Sequence, residues 1–181
     1  MSLFRPLITQ IQHLSAMAHF FRVYQKMFMK SNNELVETLN DLVRINNDRI
    51  TGYERAAELS KSSDVDLTTL FNKMADESRT YKRQLEQEVA NLGGEIATDT
   101  TTSGKIYRAW MGVKNLFTGS DRKSILASCE YGEDAAQKAY DEALSSDAEI
   151  DSSTRQLIMS QKTSLKNSHD IVKRYRDMQP A

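Results

Sequence analysis

The stretch ELVETLNDLVRINNDRITGYERAAELS, residues 34–60, decides the fold. Within it Leu35, Leu39, Leu42, Asn46, Ile50, Tyr53 and Ala57 recur three or four positions apart, the spacing that sets side chains on one face of an α-helix. The stretch has no proline and one glycine, Gly52, and most of its remaining positions are polar or charged. Such a segment buries one stripe and wets the rest, so it predicts a long helix with a partner along it.

The same period returns three times downstream. Leu67, Phe71, Met74, Ser78, Tyr81, Leu85, Val89 and Leu92 predict a second helix over about residues 67–92, after the polar turn Lys61-Ser62-Ser63-Asp64 and before the stop signal Gly93-Gly94. Ile125, Cys129, Glu133, Ala136, Tyr140 and Ala143 predict a third over residues 122–144, after Gly119-Ser120-Asp121. Ile158, Leu165, His169, Val172 and Tyr175 or Arg176 predict a fourth over residues 154–178. Between the second and third lie a Thr-rich loop and a predicted short helix, residues 106–117, carrying Tyr107, Trp110, Met111 and Phe117. No stretch alternates with period two, so the fold class is all-α. Four helices of roughly 25 residues are about 37 Å long, and their matched lengths favour two antiparallel hairpins joined by a long central connection.

The whole chain of 181 residues is 39 % hydrophobic and 27 % charged, with 2 prolines, which excludes wholesale disorder and a polytopic membrane protein. Its net charge of −1 argues against a nucleic-acid partner. One cysteine rules out an internal disulfide frame, and Cys129 reads as a buried small hydrophobe. No phosphate-loop, nucleophile-elbow or zincin motif occurs. The charge is unevenly placed: Arg5, Arg22, Lys26 and Lys30 give residues 1–30 a charge of +4 with no acid, and the rest sums to −5. Residues 1–30 therefore read as a basic amphipathic extension, with Leu7, Ile11, Leu14, Ala18, Phe21 and Phe28 at helical spacing. Packing on the body, membrane contact or targeting, and non-native sequence are its three open readings. Residues 31–179 read as the bundle, opening on the capping residues Ser31-Asn32-Asn33. No apolar run approaches the ~20 residues that span a bilayer, and a cytoplasmic location is expected.

The inward stripes carry a polar layer at mid-height: Asn46, Ser78 with Tyr81, Glu133, and His169. Buried polar groups cost about 1–3 kcal/mol each unless they find partners, so these are expected to bond to one another.

The run Leu39-Asn40-Asp41-Leu42-Val43-Arg44-Ile45-Asn46-Asn47-Asp48-Arg49 with Gly52-Tyr53-Glu54 resembles a bacterial ferritin-like family of unknown function. So do Leu92-Gly93-Gly94-Glu95, Trp110-Met111, Cys129-Glu130-Tyr131-Gly132-Glu133-Asp134 and His169-Asp170. The resemblance implies a ferritin-like four-helix bundle, a superfamily that holds two iron or manganese ions at mid-height with a Glu on two helices and a Glu-x-x-His pair on the other two. Carried over by position, the first Glu falls on Asn46, the second helix presents Ser78 and Tyr81, Glu133 is kept, and the last pair becomes Lys166 and His169. Two ligands of six do not hold two ions, so the resemblance implies a degenerate site, no cofactor and a non-enzymatic binding or stress-associated accessory role. A homo-oligomer, in the simplest case a dimer, is the expected partner arrangement, with the Trp110-Met111 segment as an end cover or a contact patch. The alternative is an iron- or manganese-binding oxidase or iron-handling protein whose ligands come from Glu54, Glu77, Glu130, Glu133 and His169 after a rotation of the helices.

Overall fold

The computed structural model describes residues 5–60, 64–98, 106 and 121–179. Among them the chain is helical, with α1 at Arg5–Ser60, α2 at Val65–Asn91, α3 at Arg122–Leu144 and α4 at Ser152–Asp177. The last three match the sequence expectation within two residues at each end. Each begins on an aspartate. Asp64 Oδ1 accepts the Leu67 N–H at 2.9 Å, Asp121 Oδ1 the Ser124 N–H at 3.0 Å, and Asp151 Oδ1 the Ser153 and Thr154 N–H groups at 2.8 and 3.1 Å. These bonds satisfy donors that a helix start otherwise leaves open. The hydroxyls of Ser153 and Thr154, with the Thr154 N–H, hold the Asp151 carboxyl well below the usual carboxylate range.

The first helix differs from expectation. Ser31-Asn32-Asn33 is not a helix start, because α1 runs through it without a break over 56 residues, about 84 Å. Capping residues end or begin a helix only where the chain turns. Here no glycine precedes Gly52 and no proline follows Pro6 until Pro180, so nothing interrupts the ladder.

The turn ending α2 shows why Gly93-Gly94 was a strong signal. The Gly93 N–H bonds the Ala90 carbonyl and the Gly94 N–H the Val89 carbonyl, both at 2.9 Å. That pair of bonds needs a left-handed residue, and Gly93 has φ +72°. Gly94 is required for space: a Cβ there would lie 2.6 Å from Val36 Cγ1 of α1. The chain beyond is clamped to α1. Asn40 Nδ2 donates to the Glu95 carbonyl at 2.9 Å, Asn40 Oδ1 accepts the Ala97 N–H at 2.8 Å, and buried Asp41 accepts the Ile106 N–H at 3.1 Å. The predicted short helix, and Trp110-Met111 with it, lies outside the described residues apart from Ile106, which is helical and buried.

These anchors give the topology. Gly94 sits at the level of Val36 and Asp64 just past the end of α1, so α2 runs antiparallel to α1. Arg122, at the start of α3, pairs with Asp64, while Tyr140 near its end meets Asn46. Helix α3 is therefore also antiparallel to α1, and α4 returns beside α3. The connection from α2 to α3 is held at opposite ends of the bundle, by Asp41 and by Asp64. The core fills the bundle in two parts. Leu39, Leu42, Leu85, Tyr140, Ile158 and Leu165 lie on one side of a polar centre. Tyr53, Phe71, Met74, Leu126 and Val172 lie on the other.

Gly94→Ala is expected to destabilise the fold by about 1–3 kcal/mol through the clash with Val36. Gly52→Ala is expected to stabilise it by about 0.5–1 kcal/mol, since it sits in mid-helix and a Cβ there meets nothing within 4 Å. Urea denaturation followed by circular dichroism reads both signs.

Candidate functional site

At mid-height the stripe of α1 turns inward with Asn46, Arg49 and Tyr53, one helical turn apart. The Arg49 side chain is 4 % exposed and faces Glu133 of α3, whose side chain is 1 % exposed. Arg49 Nη2 donates to Glu133 Oε1 at 2.5 Å, and Nη1 donates to Ser78 Oγ at 2.9 Å and to Asn46 Oδ1 at 3.4 Å. The Tyr53 hydroxyl donates to the same Glu133 oxygen, and the Arg49 guanidinium lies 5.6 Å from the Tyr53 ring centre. Tyr53 is in turn stacked on Phe71, 6.0 Å between ring centres.

The network continues through the core. Asn46 Nδ2 donates to the Leu42 carbonyl at 2.9 Å and to the Tyr140 hydroxyl at 2.8 Å. Tyr140 donates to Gln161 Oε1 at 2.8 Å, and Gln161 Nε2 donates to Gln84 Oε1 at 2.9 Å. Ser78, having accepted from Arg49, donates to the Met74 carbonyl at 2.9 Å. All four helices contribute. Within the network Glu133 Oε2 and Arg49 Nε have no hydrogen-bond partner among the described residues.

Burial disfavours the guanidinium's charge, but the Glu133 carboxylate beside it outweighs that and holds the Arg49 pKa above its ordinary value. Burial first, then the Glu133 charge, raises the Tyr53 phenol and the Cys129 thiol alike. Both stay protonated at neutral pH, so neither is a ready nucleophile or base. Burial likewise pushes up Tyr140.

Of the expected polar layer, Asn46, Ser78 and Glu133 come together here. Tyr81 is half-buried at the edge, its hydroxyl bonded to Ser164, and only its carbonyl reaches the network, 3.4 Å from Gln161 Nε2. His169 is placed elsewhere, on the α3–α4 face. Its Nε2 lies 3.0 Å from Asp134 and 3.8 Å from Glu130, its Nδ1 lies 3.0 Å from Asp170, and Glu130 also pairs with Arg176. The reason is register: Ile158, Gln161, Leu165, Ser168 and Val172 are the buried stripe of α4, and His169 is one residue off it. Lys166 points away, paired with Asp170 at 2.8 Å.

The five residues of the metal reading do not converge. Glu54 is exposed and paired with Arg79, Glu77 lies 3.9 Å from Lys73, Glu130 faces His169 and Arg176, and Glu133 faces Arg49 and Tyr53. Among the described residues no group of three or more His, Cys, Asp or Glu side chains is arranged to hold a metal ion. Of the adjacent helix pairs α2 and α4 approach least closely, and a cleft of about 210 Å³ opens between them, lined by Lys73, Glu77, Tyr81, Ser164 and Asn167 among others.

Sequence reasoning missed Arg49, Tyr140's hydroxyl and Gln161. It placed Ile50 on the inward stripe where the structure buries Arg49. The signal was present: 42, 46, 49 and 53 keep a tighter four-three-four spacing than a stripe through 50.

Removing one member of a buried pair strands the other. Arg49→Met is expected to cost about 3–5 kcal/mol, and Arg49→Met with Glu133→Gln to recover most of that loss. A double-mutant cycle in urea measures the coupling.

A model for a domain of unknown function, DUF2383, matches residues 34–146, from the start of the buried part of α1 to just past α3. No curated protein matches. The chain belongs to the DUF2383 family.

Proposed function

We infer that this member of the DUF2383 family is a ferritin-like bundle whose ion site has given way to an internal ion pair, and that it acts by binding rather than catalysis. Helix directions support the ferritin-like reading: α1 and α4 run one way, α2 and α3 the other, with one long crossover between them. The observation that carries the functional reading is Arg49. Asn46 and Ser78 stand where the resemblance expects carboxylates, and both are bonded to its guanidinium. A guanidinium is a permanent positive charge with five fixed donors and no lone pair for a metal. A divalent ion placed among Asn46, Ser78 and Glu133 would meet that charge and compete with it for one carboxylate. The residues present do not fit a di-iron or di-manganese centre.

What remains is a body whose central charges are paired with each other, suited to presenting surfaces. That fits an accessory protein, and a stress-associated role is consistent with the resemblance noted above. Tyr53 and Cys129, both held protonated, offer no activated group for covalent chemistry.

Purified protein incubated with ferrous iron or manganese, then desalted, is expected to carry no stoichiometric metal by elemental analysis. One or two ions per chain, lost in Glu133→Ala or His169→Ala, would replace this reading with an iron-handling one.

A further inference from the structure

We propose that residues 17–30 of α1 form a docking surface for an anionic phospholipid layer. This stands apart from what the bundle's centre does. Met17, Phe20, Phe21 and Met27 are 71, 73, 60 and 68 % exposed. At 100° per residue they fall within about 120° of the helix circumference. Arg22, Lys26 and Lys30, also exposed, fall on the opposite side, with exposed Val23 and Met29 (43 and 64 %) at its two edges, and no acidic residue occurs before Glu34. Elsewhere among the described residues the large exposed apolar side chains are Val65, Ile96, Tyr131, Met159 and Met178, distributed over different helices and ends rather than on one face.

Charge selects the occupant. Among the described residues the body of a second copy offers no matching apolar face. The same arm of a second copy offers an apolar face but brings another acid-free, all-positive flank, so pairing gains no salt bridge and adds repulsion. An anionic lipid surface meets both features: acyl chains take the Met and Phe side chains, and phosphate and carboxylate headgroups neutralise the arginine and lysines. No described helix is long and apolar enough to cross a membrane, so the segment lies in the interface plane.

The test is co-sedimentation of the full chain with phosphatidylcholine vesicles, with and without phosphatidylserine. Binding to the anionic vesicles is expected to exceed binding to neutral ones at least about tenfold and to weaken with added salt. Arg22→Glu with Lys26→Glu and Lys30→Glu, and separately Phe20→Glu with Phe21→Glu, are expected to abolish it while leaving the circular dichroism and melting temperature unchanged, since these side chains touch no part of the core. Failure to bind anionic vesicles overturns the proposal, as does equal binding to neutral ones or binding that survives charge reversal. A dimer in sedimentation equilibrium that the Phe20→Glu, Phe21→Glu variant dissociates, with no vesicle binding, would overturn it in favour of a second copy.

Discussion

The rest of the bundle depends on placing a full positive and a full negative charge in its centre. Taken singly, Arg49 and Glu133 would each lose several kcal/mol of hydration on burial. They are tolerated because each meets the other at 2.5 Å and because Ser78, Asn46 and Tyr53 take further donors and acceptors. Those partners sit on α1 and α2 while Glu133 sits on α3, so the pair ties three helices at one height. Through Tyr140 and Gln161 the fourth is tied as well. Sliding any helix by one turn, about 5.4 Å, would break at least one of these bonds with no water to replace it. An apolar centre of the same volume tolerates such slips far better, because Leu and Ile are interchangeable along a stripe. Register is therefore what the polar centre supplies.

The motif residues of α1 and of the turn after α2 divide between two structural jobs. Asn40 and Asp41 hold the chain after α2, Gly93 turns it, and Gly94 lets it lie on Val36. Asn46, Arg49 and Tyr53 build the polar centre. Both jobs fix where the long connection leaves the bundle and where α3 starts, which is the feature that separates this topology from a simple up-and-down bundle. In a segment rich in Asn, Asp and Arg, Asn40, Asp41, Asn46 and Arg49 each bond a group on another element.

Helix period, the polar turns between segments and the Gly-Gly stop made three of the four helices readable within two residues. All of these are local signals. The buried stripe of α3 was legible for the same reason, since Ile125, Cys129, Glu133, Ala136 and Tyr140 keep helical spacing, although Leu126, Glu130 and Ala139 beside them are buried as well. The errors fall where a rule about residue type overrode spacing. Arginine is assigned to solvent by habit, so Ile50 took the place of Arg49. Histidine draws attention as a ligand, so His169 displaced its neighbour Ser168. Ser31-Asn32-Asn33 was read as a boundary because of its capping chemistry, although the helix ladder had no breaker on either side. The partner of a charged residue lies on another helix, and no one-helix pattern can reveal that Glu133 waits for Arg49.

Continuity of α1 joins the two charge regimes of the molecule mechanically. Between Pro6 and Gly52 there is neither glycine nor proline, and sharp kinks in helices arise almost only at such residues or at insertions. The exposed Met and Phe face of residues 17–30 lies in phase with Leu35, Leu42, Asn46 and Tyr53, which the bundle buries. One stripe thus faces protein in one half and open solvent in the other. With no hinge between them, whatever the arm rests on fixes the tilt of the bundle. The Arg49–Glu133 register fixes which side of the bundle follows that arm. The basic arm and the net acidic body are then held apart along one axis, so an anionic surface that attracts the first repels the second. That polarity orients the body outward from the surface without any further contact.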